Sequence, residues 1–317
     1  MIDITVDAAA PLIAHPRDIR RHAPAYRAGG VDAVLATVAS IEHFAETASR
    51  LAAWTSVSRR GDLGARVATS VDDIERAHAR GQLAVVLHMQ GISATGTSLD
   101  ALDLFHAAGV RVMQLTYNHR NQLGDGCLEP SDSGLSEFGR RVVRRLNELG
   151  TMIDISHAGV RTSLETIDCA EGPVIASHSN ARAVCESPRN LSDEHIRAVA
   201  RTGGVIGLCA FPSFVSEHNP SLEKLVEHAA YIADLVGPAH VGLGLDFSDE
   251  DEDDYEYYGY EERYYPRPPW TWPMGIASPS DTANVPEALF RAGFGAPEVA
   301  GIMGGNFLRV FRERWGS

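Results

Sequence analysis

The sequence predicts an α/β protein folded as a (β/α)8 barrel of the TIM type, with a long acidic and aromatic loop after the last strand. Three observations predict it. Eight short β-rich runs alternate with longer amphipathic patterns. The runs are almost continuously apolar, as in a parallel sheet covered on both faces. No Gly-x-Gly-x-x-Gly turn follows the first run, where a doubly wound dinucleotide-binding sheet would favour one. A typical barrel takes roughly 250 residues as one domain, so one domain is expected over residues 1–317.

Taken in order, strands are expected at residues 4–8, 33–38, 83–89, 111–117, 152–156, 173–177, 204–209 and 240–246. Helices are expected at 101–108, 138–149, 192–201 and 222–235, where apolar residues recur at three- and four-residue spacing. Gly29-Gly30 and Gly203-Gly204 close two helical segments as C-caps do. After the eighth strand, six consecutive acids occupy 249–254. Tyr255, Tyr257, Tyr258, Tyr260, Tyr264, Tyr265, Trp270 and Trp272 follow, and in a barrel this segment overhangs the mouth. Blandly, it is a solvated loop whose tyrosines pack a lid. The sharper reading is a mouth that attracts cations through carboxylates and aromatic faces. The acids lack the spaced order of a calcium loop.

Composition narrows the partners. With 28 basic and 42 acidic side chains the formal net charge is −14, which disfavours nucleic acid and anionic membrane surfaces. Cys127, Cys169, Cys185 and Cys209 form no Cys-x-x-Cys pair and read as reduced thiols of a cytoplasmic protein. No run approaches the ~18–20 apolar residues of a membrane helix, and the first residues carry no basic leader.

In a barrel, chemistry sits where strands end. The fifth strand ends in Asp154-Ile155-Ser156-His157, the sixth in Ser177-His178-Ser179 and the eighth in Leu245-Asp246-Phe247. Two neutral imidazoles and a carboxylate at neighbouring strand ends suit a divalent metal such as zinc. A lone histidine there would more often cap its strand by hydrogen bonds. Three strand ends together favour a site.

These pieces, in this order, resemble the renal or membrane dipeptidase family of zinc peptidases within the amidohydrolase superfamily. The matching segments include Leu115-Thr116-Tyr117-Asn118, Gly134-Leu135-Ser136-Glu137, Pro188-Arg189-Asn190-Leu191, His240-Val241-Gly242-Leu243-Gly244 and Gly304-Gly305-Asn306-Phe307. The resemblance implies a (β/α)8 barrel, a dipeptide-cleaving metallohydrolase and a homodimer. It places two metal-binding histidines on His157 and His178 and the proton-handling aspartate on Asp246. The arginine that grips the substrate carboxylate falls on Arg189, as a guanidinium fork suits a carboxylate.

The likeness breaks at the other ligands. Ala9 and Pro11 stand where the family has a first-strand His-x-Asp. Gln90, or Met89 in the adjacent register, stands where it has a bridging glutamate, and a neutral amide bridges two dications poorly. Tyr117 replaces a family histidine that polarises the scissile carbonyl. Gln90, Leu-Thr-Tyr-Asn with Asn118, and Gly124-Asp125-Gly126-Cys127 resemble a divergent bacterial subgroup.

The remaining set, His157 and His178 with Asp246 as a candidate third ligand, suits one zinc ion and a water. His88, two residues before Gln90 and on the same face, is either a replacement ligand or a core histidine. Tyr117 is either an O–H donor to a developing oxyanion or a packed barrel aromatic. Gln90 and Asn118 join Arg189 as expected substrate contacts. The expected partner is a small molecule: a dipeptide, an N-acyl amino acid or a cationic amine. Two other readings stay open. One is a metal-independent lyase or isomerase using His157 and Asp246 as acid and base. The other is a non-catalytic binding protein for a small cation.

Overall fold

A computed structural model of the chain describes residues 4–60 and 64–316. Nine parallel strands appear among them: β1 (Val6–Ala10), β2 (Ala33–Ala39), β3 (Ala65–Val67), β4 (Leu83–Met89), β5 (Val110–Gln114), β6 (Met152–Asp154), β7 (Val174–Ile175), β8 (Ile206–Leu208) and β9 (Val241–Leu243). Eight of them follow one another around the sheet in the order β7-β6-β5-β4-β2-β1-β9-β8. A parallel bridge between Ala176 and Ile206 joins the two ends. The Ala176 N–H donates to Val205 O (3.0 Å) and the Gly207 N–H to Ala176 O (2.8 Å). The ring of strands is thus the expected (β/α)8 barrel.

Strand β3 was not expected. It pairs with residues 83–85 of β4, below the point where β5 takes over at Leu87. Three residues give no periodic signal above background, and only backbone pairing to β4 marks them as a strand.

The helices form where apolar stripes meet good caps. In the helix Glu137–Leu149, the Ser136 hydroxyl accepts from the Gly139 N–H, Val142, Val143 and Leu146 are buried, and Gly150 ends the helix at φ 66°. The helices Asp193–Arg201 and Leu222–Val236 begin on Ser192 and Ser221 in the same way. Their apolar faces share one core with the outward residues of the strands, among them Val85, Leu87, Ile153, Ile206 and Leu243. A second core fills the barrel: Val6, Leu35, Val86, Val112, Met152 and Ile175 meet Phe307 and Phe311 of the helix Asn306–Trp315. Among the described residues no helix is long and apolar enough to cross a membrane.

The acidic segment is ordered. Asp251 caps the helix Glu252–Tyr258, accepting from the Asp253 and Asp254 N–H groups. Acids in a first turn suit the positive end of the helix dipole. The following aromatics pack down. Tyr255 and Tyr265 are buried with Leu128, Cys209, Phe211 and Phe214, and Trp270 and Trp272 lie against them.

Candidate active site

The interior rows of the barrel change from apolar to polar along its axis. On β4 the inward residues run Ala84, Val86, His88; on β5, Val112, Gln114; on β6, Met152, Asp154, all of them buried. Asp154 is the hub. Its Oδ1 accepts from the N–H groups of Ser156 (2.9 Å) and Ser177 (3.0 Å). Its Oδ2 accepts from the Ser177 hydroxyl (2.5 Å) and lies 3.0 Å from His88 Nε2. Burial alone would raise this carboxyl. The His88 hydrogen bond, the attraction of His88 and His178 and the Ser177 hydroxyl instead hold it well below the usual carboxylate range.

His157 and His178 come together with their Nε2 atoms 2.8 Å apart. Each ring is fixed from behind. Asn118 Oδ1 lies 2.7 Å from His157 Nδ1 and accepts from the Tyr265 hydroxyl (3.1 Å) and the Cys127 thiol (3.7 Å). An oxygen taking these donors is a carbonyl, so His157 carries its proton on Nδ1. Ser177 gives its single hydroxyl proton to Asp154, so its oxygen accepts from His178 Nδ1 at 2.6 Å. Both Nε2 atoms therefore aim lone pairs at one point. Burial, and next the charge of Arg189, push both imidazoles well below their ordinary pKa, so neither ring brings a proton to that point at neutral pH.

The backbone is strained to make this approach. Asn118 (φ 54°), His157 (62°) and Asp246 (59°) all adopt the left-handed conformation. Such residues cost on the order of 1 kcal/mol or more each. Three of the four non-glycine residues with positive φ among the described residues are thus expected site residues. The loop behind them locks the turn: the Cys127 N–H donates to His157 O (2.8 Å) and the Leu128 N–H to Asn118 O (2.9 Å). A Cβ at Gly126 would stand 2.1 Å from Asn118 O, so only glycine fits there.

Arg189 is buried. It donates from Nη2 to His178 O (3.2 Å), lies 5.4 Å over the Phe214 ring, and leaves its Nε without a partner. The Asp246 carboxyl is pushed up to about 8 by burial, against the pull of Arg189, with Glu250 and Asp7 adding to the rise. The Gln90 amide nearby pulls it back down, and the Cys209 thiol approaches it at 3.9 Å. Gln90 also donates to Thr37 Oγ1 (2.9 Å). Tyr117 stacks on His157 with ring centres 4.3 Å apart, and its hydroxyl meets that of Tyr260 at 2.6 Å. Burial holds the Tyr117 phenol well above its usual pKa.

Two small cavities flank His157. One, of about 20 Å³, is lined by Gln90, Tyr117, Asp246, Glu250, Tyr260 and Tyr265, among others. The other, of about 30 Å³, is lined by Cys127, Ser179, Arg182, Arg189, Asn190 and His195, among others. Each holds about one water, whereas pockets that enclose an organic ligand run to roughly 300 Å³ or more. Substrate access therefore requires the aromatic cover to move.

The structure thus gathers His157, His178, Arg189, Asp246, Tyr117, Gln90 and Asn118 at one end of the barrel. Asn118, expected as a substrate contact, lines neither cavity and instead holds His157, and His88 turns its Nε2 to Asp154. The reading of residue types alone passed over Asp154 as a hub, Ser177, Glu250, Tyr260 and Tyr265. A charged residue ending an apolar strand was the available signal for Asp154. The others depend on contacts distant in sequence.

The chain matches the membrane dipeptidase family, peptidase family M19, over residues 16–257. It belongs to that family. Among relatives, a dipeptidase of Aspergillus oryzae named aclJ is 29% identical over 253 residues, covering 78% of this chain and 56% of that one. The chain spans about half the length of the first curated relatives it matches, at 54–56%. An amidohydrolase structure from Pseudomonas aeruginosa superposes with a TM-score of 0.89 at 30% identity, covering 99% of this chain and 97% of that one. A metallopeptidase from Rhodobacter sphaeroides, liganded with a phosphinate mimic of the dipeptide L-Ala-D-Ala, shares the fold at a TM-score of 0.83 and 22% identity, covering 98% and 99%.

Membership of the M19 family implies a metal cofactor. Two side chains fit one ion. Neutral, buried imidazoles with Nδ1 engaged from behind and Nε2 lone pairs converging are the arrangement that metal-ligating histidines show. A second ion is not fitted: β1 offers Ala9, the next residues include Pro11, and Gln90 follows β4. Among the described residues no three His, Cys, Asp or Glu side chains are arranged as a metal site.

Proposed function

We propose that this M19 family member hydrolyses a small amide bearing a free carboxylate, a dipeptide first of all, with a single zinc ion held by His157 and His178. The observation that carries the reading is the pair of Nε2 lone pairs aimed at one point beside the buried Arg189 guanidinium. Two imidazole nitrogens 2.8 Å apart repel unless a proton or a metal ion is shared between them, and a metal ion suits two neutral rings whose Nδ1 atoms carry the protons. Zinc accepts imidazole nitrogen readily.

When bound, the ion supplies Lewis-acid polarisation and lowers the pKa of water. The chain supplies the rest. Arg189 takes the substrate carboxylate, and its open Nε leaves a donor free for that purpose. Asp246, with a pKa near neutrality, accepts a proton from the attacking water and returns it to the leaving amine. Tyr117 keeps its proton and donates to the oxygen of the amide carbonyl. Stacking on His157 fixes where that hydroxyl points. The aromatic cover excludes bulk water once closed.

The test is metal content and turnover measured on the same preparation. Chelator-free protein should carry one equivalent of zinc and cleave dipeptides, and His157→Ala with His178→Ala should lose both. Full dipeptide turnover by the double variant would overturn the assignment.

A further inference from the structure

The mechanism above leaves Glu250 without a task. We propose that Glu250 is a specificity-determining residue that receives the ammonium end of the substrate, in a cavity beside His157 that Arg189 does not line, and so selects amides with a free amino group. The inference rests on the hydrolase reading and deepens it.

The geometry comes first. Glu250 lies four residues beyond Asp246 and lines the same cavity as Tyr117, Tyr260, Tyr265 and Trp270. Its N–H donates to Ser248 Oγ (3.3 Å), and the nearby Ser248 and Tyr260 hydroxyls pull its pKa down against burial. Its Oε2 is buried and has no partner. Asp246, the other carboxyl of the cavity, is already engaged by Gln90 and Cys209. The acceptor left open is therefore Glu250 Oε2.

With the cover closed, a cavity of about 20 Å³ leaves room for about one water-sized group. A primary ammonium beside Glu250 asks for little more room than that, whereas an acetamido or trimethylammonium group demands a wider opening. Aromatic walls keep the local dielectric low, which strengthens an ammonium–carboxylate pair and favours the cation.

Polarity sets the direction. The second cavity beside His157 is lined by Arg189 and Arg182. A molecule with an ammonium at one end and a carboxylate at the other can lie in only one sense across the histidine pair. An N-acyl amino acid satisfies the arginine end alone, and a simple amine the Glu250 end alone.

Burial, with Asp254 and Asp249 adding to it, pushes the Glu250 carboxyl up to about 7, so near neutrality the free site holds a proton for part of the time. An arriving ammonium stabilises the carboxylate and expels that proton. Binding of the cationic end thus releases protons near pH 7.

The experiment compares L-Ala-L-Ala with N-acetyl-L-Ala-L-Ala on wild type, Glu250→Gln and Glu250→Asp. The wild type should prefer the free dipeptide. Glu250→Gln should lower kcat/KM for the free dipeptide about 100-fold, chiefly through KM, and change that for the acetylated one far less, through the Asp246 carboxyl that both substrates share. Glu250→Asp should recover part of the difference. An equal effect on both substrates, or none, overturns the assignment. If the wild type cleaves neither, the hydrolase reading fails separately, and calorimetry with the same two peptides decides on Glu250. Binding of L-Ala-L-Ala with proton release that Glu250→Gln abolishes upholds the seat. Equal binding of the acetylated peptide, or binding of neither, refutes it.

Discussion

Replacing Asp154 by Asn tests the central inference, that a buried carboxylate sets the tautomer of His178. The aspartate accepts four contacts, two on each oxygen. The amide keeps an acceptor for Ser156 and Ser177 N–H but presents NH₂ to the Ser177 hydroxyl and His88. Two hydrogen bonds to a charged acceptor are lost, at about 1.5–3 kcal/mol each. The expected destabilisation is about 3–5 kcal/mol, the usual range for breaking a buried charged pair. Ser177 then receives from the introduced amide and turns its own proton to His178 Nδ1, which moves the His178 proton to Nε2. An N–H then points at His157 where a lone pair stood, and zinc affinity should fall about 10–100-fold. Guanidinium unfolding at constant m reads the first effect, competition with a chromophoric chelator the second, and imidazole 15N shifts the tautomer. Because the folded pKa of Asp154 is depressed, its contribution is complete above the unfolded value of about 4 and fades as pH falls further. The gap between variant and wild type should therefore close in acid. A stability change under 1 kcal/mol together with unchanged zinc affinity would refute the reasoning.

Three further outcomes follow from the same contacts. Burial raises the Asp7 carboxyl to about 7, so between about pH 4 and 7 the folded chain keeps a proton that the unfolded chain gives up, and stability falls as pH rises through that window. Asp7→Asn keeps an acceptor for the Leu245 and Ala9 N–H groups and should be more stable than wild type by on the order of 2 kcal/mol at pH 8, with little difference at pH 4; parallel urea titrations at the two pH values check it. Arg189→Lys should raise KM for carboxylate-bearing substrates about 100-fold, since lysine lacks both the bidentate fork and the flat face over Phe214. Steady-state kinetics would show it, and an unchanged KM would remove Arg189 from the carboxylate. Tyr117→Phe keeps the ring on His157 and loses one hydroxyl pair; kcat should fall about tenfold while melting shifts by no more than about 1 kcal/mol allows.

Much of the barrel was legible because its signals are local. The runs at 33–38 and 83–89 are apolar at every residue or nearly so, and no surface element needs that. Ser136, Ser192 and Ser221 announce the helices they cap. Strand β3 was not legible, since its only support is the open edge of β4. His157, His178, Asp246 and Arg189 could be named from strand ends and family order. How they are held could not. Asn118 reaches His157 across 39 residues, and Tyr265 reaches Asn118 across 147.

Residues that a motif names and residues that make the motif work are separated by this physics. A metal-binding histidine needs only its own side chain to be recognised. Its tautomer is decided by a neighbour: the Asn118 carbonyl for His157, and the Ser177 hydroxyl relayed to Asp154 for His178. That second layer is built from the inward row of the barrel, where the apolar alternation that forms β4, β5 and β6 carries on into His88, Gln114 and Asp154. The same two-residue period thus places the core at one end and the chemistry at the other. Ala9 and Pro11, where the family resemblance would place further ligands, leave this layer unaffected, because none of its contacts comes from β1. Under the proposed single-ion reading, then, the orientation of the two histidines does not depend on β1, so the number of ligands and the quality of their orientation must be measured separately.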